Sequence, residues 1–211
     1  MSLLAAVTFI AALSSTSQPY RQVEVCFVLD TTGSMANLIE TAKEKIWFIA
    51  NEIANAPTQP DVRFCLLGFR DRGDDYITRH FDLTADLDAI HKELLAFEAN
   101  GGGDTPEAVY QALFEVVEYT SWSDADEVLK LVFLVGDAPP HEDYDEPQFG
   151  EISARAHGRG VILNPVLVGH DTDTSRHWRQ MAEQSGTRSL QVDNSAGQGT
   201  IEPPMDQDLA V

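Results

Sequence analysis

Val23-Glu24-Val25-Cys26-Phe27-Val28-Leu29-Asp30-Thr31-Thr32-Gly33-Ser34-Met35 is the stretch whose reading decides the fold. A nearly continuous apolar run, the pattern of a strand buried on both faces, stops at Asp30. Thr32 and Ser34 follow at alternate positions, and an apolar helical pattern opens at Met35. The segment delivers one carboxylate and two hydroxyls to the corner between the carboxyl end of a strand and the amino end of a helix. Open α/β sheets bind their ligands at that corner. These are hard oxygen donors, suited to Mg²⁺, Mn²⁺ or Ca²⁺ rather than to zinc or copper.

Downstream, Met35, Leu38, Ile39, Ala42, Ile46, Ile49, Ala50 and Ile53 recur with helical periodicity and predict one long helix, ended by Pro57 and Pro60. Val62 to Phe69 reads as a second buried strand, Arg70 to Asp75 as a turn, and Tyr76 to Asp82 as a third, partly exposed strand. So short a connection makes that pair antiparallel, because a parallel return needs a crossover of about a dozen residues or more. Thr84 or Asp86 caps a second helix that runs through Phe97. After the loop Asn100-Gly101-Gly102-Gly103-Asp104-Thr105-Pro106-Glu107, Pro106 suits the first turn of a third helix striped by Val109, Ala112, Leu113, Val116 and Val117. Leu129 to Val135 is another buried strand, ending in Gly136-Asp137-Ala138-Pro139-Pro140-His141. Helices around Gln148 to His157 and Thr174 to Gln184 alternate with strands at Val161 to Val168 and Arg188 to Val192. This alternation, with its single hairpin, predicts an α/β fold. It is a Rossmann-like three-layer sandwich, with a mostly parallel central sheet, one antiparallel edge strand and helices on both faces.

The chain has 211 residues and a formal charge of −20, with 34 acidic residues against 14 basic ones. That length suits one domain, expected at 21–193. So negative a surface repels nucleic-acid phosphates and anionic lipid, so neither is expected as a partner. Residues 1–20 hold an apolar run, Leu3 to Leu13, followed by small polar residues. This resembles the latter part of a secretory signal peptide without its cationic start; the rival reading is a native helix or strand packed on the domain. The run is too short to cross a membrane. A signal remnant implies a periplasmic or secreted protein, and the rival reading a cytoplasmic one. Residues 194–211 form a polar tail whose Pro203-Pro204-Met205 reads as the opening of a final helix. Cys26 and Cys65, the two cysteines, each lie in an apolar strand pattern. The expectation is a pair of buried free thiols acting as small hydrophobes; a disulfide would need Cα atoms within about 7 Å, which adjacent strands allow.

In such a sheet the ends of the first and fourth strands and the loop before the third helix are neighbours. They would collect Asp30, Thr32, Ser34, Thr105 and Asp137 into a metal site. Neutral hydroxyls offset little of a dication's charge, so the ion stays electrophilic toward an incoming anion, and the amino end of the first helix favours the same charge. Gly33, Asp71, Asp104 and His141 are candidates for the surroundings of that ion or the rim where a ligand sits. By default, Asp71 and Asp104 read as solvated turn residues, and His141 and His170 as surface histidines.

Asp30-Thr31-Thr32-Gly33-Ser34, with Thr105 in a glycine-rich loop and Asp137 after a buried strand, resembles the von Willebrand factor type A domain over roughly Val23 to Val192. The resemblance implies a metal-ion-dependent adhesion site. There Thr32 and Ser34 bind Mg²⁺, Mn²⁺ or Ca²⁺ directly, Asp30 and Asp137 act directly or through water, and Thr105 engages according to conformational state. It implies a binding module without enzymatic activity, whose ion captures a carboxylate of a partner protein or surface ligand. Thr32 replaces the commoner Ser with its hydroxyl retained, and Ala138-Pro139-Pro140 replaces the usual Gly after the second aspartate. These loops look like a bacterial branch of the family. Two rivals stand beside this reading. Asp30-Thr31-Thr32-Gly33-Ser34 also resembles the nucleophile motif of haloacid-dehalogenase-like phosphotransferases, but Thr32 stands where soluble phosphatases of that group place a general acid. The second rival is a metal-free assembly scaffold.

Overall fold

Every residue from Val23 to Asp30 is buried, and a strand apolar on both faces needs a neighbour on each edge and cover on each side. The computed structural model, which describes residues 20–192 apart from 58, 104 and 126, meets both needs. Strand β1 (Gln22–Asp30) lies at the centre of a six-stranded sheet. Its parallel neighbours are β2 (Asp61–Phe69) and β4 (Val128–Gly136). Strand β3 (Thr78–Thr84) runs antiparallel along the outer edge of β2, and β5 (Val161–Val168) and β6 (Leu190–Val192) extend the sheet in parallel beyond β4. The order β3-β2-β1-β4-β5-β6 is the mostly parallel sheet with one antiparallel edge strand that the sequence predicts. The N-terminal apolar run, the tail from 194 and Asp104 lie outside the described residues.

Successive side chains of a strand point to opposite faces, and β1 divides accordingly. Cys26 and Val28 join one core with α3 (Val109–Tyr119), α4 (Phe149–Gly158) and α5 (Thr172–Gln184), through Leu113, Ile152 and Trp178. Phe27 and Leu29 join the opposite core with α1 (Ile39–Ala54) and α2 (Leu87–Ala96), through Ile46 and Leu94. Asp86 caps α2 by accepting from the Ala89 N–H at 2.9 Å, a contact worth about 1 kcal/mol. Among the described residues, no helix is long and apolar enough to cross a membrane.

Three local expectations change. The first helix does not open at Met35: a tight 3₁₀ turn spans Gly33–Asn37, and α1 begins at Ile39. Short-range bonds from Met35 N to Thr32 O and from Leu38 N to Met35 O draw that turn in. The third helix opens at Val109 rather than around Pro106, because the backbone of Glu107 is committed elsewhere. Its N–H donates to Pro139 O, and its carbonyl accepts from His141 N–H. Cys26 and Cys65 are not free thiols: parallel pairing sets them opposite each other, with Cα atoms 4.3 Å apart, as a disulfide. Register across a parallel pair separated by a helix decides this, and the sequence pattern does not carry it.

Candidate metal site

β1 and β4 end side by side, so their exit loops begin at the same corner. Asp30, the last residue of β1, is fully buried. Its Oδ1 accepts from the Thr32 N–H at 2.9 Å and from the Thr32 hydroxyl at 2.6 Å. Thr32 Oγ1 lies 3.1 Å from Ser34 Oγ, and the Ser34 hydroxyl donates to Asp137 Oδ1 at 2.7 Å. Asp30, Thr32, Ser34 and Asp137 therefore form one connected chain of oxygens. Behind them Gly136 has no room for a side chain: a Cβ there would sit 2.8 Å from Asp30 Cβ and 3.0 Å from Asp30 Oδ2. From the helix side, the Thr174 hydroxyl donates to Asp137 O and the indole of Trp178 donates to Ala138 O.

The glycine-rich loop reaches the same corner. The Gly33 N–H donates to Gly101 O at 3.0 Å and the Asn100 N–H to Thr31 O at 3.0 Å. A Cβ on Gly33 would lie 2.7 Å from Gly101 O, which explains glycine at that position. Thr105, however, is exposed, and among the described residues no hydrogen bond ties its side chain to the oxygen chain. The side chain of this loop that turns inward is Glu107, which is 2 % exposed. It lies beside the Thr32 side chain across Gly102, and Asp30, Asp71 and Asp74 press their charges on it. A Cβ on Gly102 would lie 2.8 Å from Glu107 Oε1 and 3.1 Å from Thr32 Cβ, so Gly102 leaves the space through which the two meet. Sequence reasoning missed Glu107, because a glutamate after proline in a polar loop reads as solvated. The one available signal was its place immediately before the buried run Ala108-Val109-Tyr110.

Two rim residues differ from their default readings. Asp71 is buried, and its two carboxylate oxygens accept from the Tyr144 hydroxyl at 3.0 and 2.9 Å. His141 is also buried: its ring stacks on Tyr144 at 3.9 Å, its Nδ1 lies 2.7 Å from Asp143 Oδ1, and its Nε2 lies 3.6 Å from Asp71 Oδ2. His170 is exposed, as expected. Arg70 is the buried cation nearest these loops, but its guanidinium is used to hold backbone, donating to Thr31 O and Glu98 O.

The electrostatics are those of a site short of positive charge. Burial pushes the Asp30 carboxyl up to about 7, with the Asp137 charge adding to the rise. Burial, then Asp30, Asp71 and Asp74, push Glu107 up to about 9. Asp137 is raised by burial, partly countered by its bond from Ser34. The two hydroxyl protons are spent on Asp30 Oδ1 and Asp137 Oδ1, while Asp30 Oδ2 and Glu107 Oε2 are buried with no hydrogen-bond partner among the described residues. Buried polar atoms are nearly always satisfied, and an orphaned carboxylate oxygen calls for a donor or a cation. Among the described residues there is no cage of three or more Asp, Glu, His or Cys side chains around a common point. The fit is instead to a mixed carboxylate and hydroxyl set, the oxygen chemistry that a hard divalent ion takes.

Sheet order, strand-end aspartate and converging loops define a class, the α/β interaction module with an oxygen-lined corner at the head of its sheet. This chain belongs to the von Willebrand factor A domain family, whose model matches residues 24–200. It is similar to the human von Willebrand factor A domain-containing protein 7, at 32% identity over 137 residues, covering 65% of this chain and 14% of that protein. The chain spans less than a fifth of the curated relatives it matches. Its fold is similar to the crystal structure of the SpRpn10 VWA domain, with a TM-score of 0.61, 12% identity, and coverage of 83% of this chain and 90% of that one. It is likewise similar to proximal thread matrix protein 1 from the mussel byssus, solved with a zinc-occupied MIDAS motif, with a TM-score of 0.57 and 18% identity over 71% of this chain and 36% of that one.

Proposed function

We propose that this domain is a binding module that holds a divalent cation at Asp30, Thr32, Ser34 and Asp137 and through it captures an acidic group of a partner. The observation that carries the reading is the orphaned Oδ2 of fully buried Asp30, beside hydroxyls whose protons are already committed. The donors favour Mg²⁺, Mn²⁺ or Ca²⁺; the zinc-occupied motif of the mussel protein supports a divalent ion at the head of such a sheet. Bound there, the ion supplies an electrophilic position for a carboxylate. The chain's part is to fix the oxygens. Thr32 and Ser34 are set by the 3₁₀ turn, Asp30 by Gly136 behind it, and Asp137 by Thr174 and Trp178.

Binding is favoured over phosphotransfer by where two lysines lie. Phosphotransfer at a strand-end aspartate of that kind needs an active-site lysine, and these two are engaged, Lys43 with Glu40 and Leu95 O and Lys130 with Arg159 O. The Cys26–Cys65 disulfide supports a location outside the cytoplasm, in agreement with the apolar run at residues 3–13. The test immobilises the domain and measures capture of an acidic peptide with Mg²⁺ and with EDTA. Capture with Mg²⁺ that EDTA and Asp30→Ala each abolish supports the reading; equal capture with EDTA leaves a metal-free scaffold.

A further inference from the structure

We propose that Glu107 belongs to the cation site, its carboxylate taking the place at the ion that the sequence pattern gives to Thr105. This rests on the reading of Asp30, Thr32, Ser34 and Asp137 as a divalent-cation site and adds to it a residue outside the expected pattern.

Placement is the first argument. Glu107 is 2 % exposed although it follows a glycine-rich surface loop, while Thr105, two residues earlier, is exposed. Its backbone is held on both sides by the loop that carries Asp137, through the bond from Glu107 N–H to Pro139 O and the bond from His141 N–H to Glu107 O. A parallel bridge between Glu107 and Pro140 results. The preceding glycines are held by the loop that carries Asp30, through Gly33 N–H to Gly101 O and Asn100 N–H to Thr31 O. The side chain is thus fixed from two directions and aimed at Thr32, with Gly102 leaving the passage open.

The second argument is its unmet chemistry. Among the described residues, Glu107 Oε2 is buried without a hydrogen-bond partner, as is Asp30 Oδ2. Thr32 has a single hydroxyl proton, and Asp30 Oδ1 takes it at 2.6 Å. Arg70 is occupied with backbone carbonyls and Asp75. Charging both of these buried carboxylates beside Thr32 is unfavourable with no cation between them, and a divalent ion relieves both together.

The consequence is that Glu107 closes on the ion as a third carboxylate beside Asp30 and Asp137 only when the ion is bound, since without it no three such groups share a common point among the described residues. The test measures binding of Mn²⁺ alone by the loss of the free-ion electron paramagnetic resonance signal, in wild type and in Glu107→Gln, Thr105→Ala and Asp30→Ala variants. Circular dichroism melts in EDTA establish that each variant is folded. Glu107→Gln keeps shape and removes charge, and the expected loss of affinity is about tenfold or more, the scale seen when a group that supports a metal is removed. Thr105→Ala is expected to stay close to wild type, and Glu107→Asp, which keeps the charge on a shorter arm, to fall between. Wild-type affinity in folded Glu107→Gln, or a greater loss in Thr105→Ala, overturns the assignment of Glu107. If Glu107→Gln does not fold, Glu107→Asp decides: a weakened affinity supports the assignment and an unchanged one overturns it. Wild-type affinity in Asp30→Ala overturns the underlying site instead.

Discussion

Removing the charge of Asp30 should stabilise the metal-free protein, although it would destroy the proposed metal site. Asp30 is fully buried, and its folded carboxyl is raised from 3.8 to about 7, first by burial and then by Asp137. A group raised on folding holds its proton in the native state after the unfolded chain has released it. The contribution of Asp30 to metal-free stability therefore falls as pH rises from about 4 to about 7 and is flat above. A rise of about 3 pH units at about 1.4 kcal/mol each places the cost of charging Asp30 near 4 kcal/mol. Asp30→Asn keeps an oxygen to accept from Thr32 but sets an unsatisfied amide beside Gly136, a loss of about 1–2 kcal/mol. At about pH 8 in EDTA, the variant should exceed wild type by about 2–3 kcal/mol, or several degrees in melting temperature for a domain of this size. The assay is denaturant unfolding of both proteins across that pH range, comparing their difference so that other titrating groups cancel. Near pH 4 the advantage should reverse, wild type leading by about 1 kcal/mol, and at high pH Mg²⁺ should stabilise wild type alone. A wild type more stable than Asp30→Asn in EDTA at about pH 8 would refute the reasoning, because Asp30 would then be compensated within the protein itself.

Other substitutions test the frame around the site. Gly136→Ala places a Cβ 2.8 Å from Asp30 Cβ; it should cost about 1–3 kcal/mol in denaturant unfolding and weaken Mg²⁺ stabilisation as well. Arg63 pairs at 3.0 Å with Glu24, which is fully buried and also accepts from the Ser123 N–H. Arg63→Met should therefore cost about 3 kcal/mol, much of it from the stranded carboxylate. An Ellman assay in denaturant should find no free thiol before reduction and a thiol from each of Cys26 and Cys65 afterwards.

The sheet was legible because each buried strand stands as an apolar run between turn signals. A short hairpin connection can join only antiparallel neighbours, which gave β3 its place. Asp30, Thr32, Ser34 and Asp137 were legible because strand ends fix their position, and strand ends follow from the same runs. Thr105 was different. A glycine-rich loop has no periodicity to say which side chain points inward, and in this one the backbone bonds of Glu107 turn that residue toward Thr32. Asp71 and His141 were hidden for a related reason: Tyr144, which buries both, is contributed by a charged loop distant in sequence from Asp71. The cysteine pairing required the register of β1 against β2, and a helix between two parallel strands leaves that register unspecified.

The most direct measurement is calorimetric titration of Mg²⁺ into wild type, Ser34→Ala and Asp137→Asn. Ser34 and Asp137 meet at 2.7 Å across the two loops, so both should serve a single ion. The account predicts one binding event in wild type, severely weakened by each substitution in proteins that still fold. Wild-type affinity in both variants, or no binding by wild type, would contradict it.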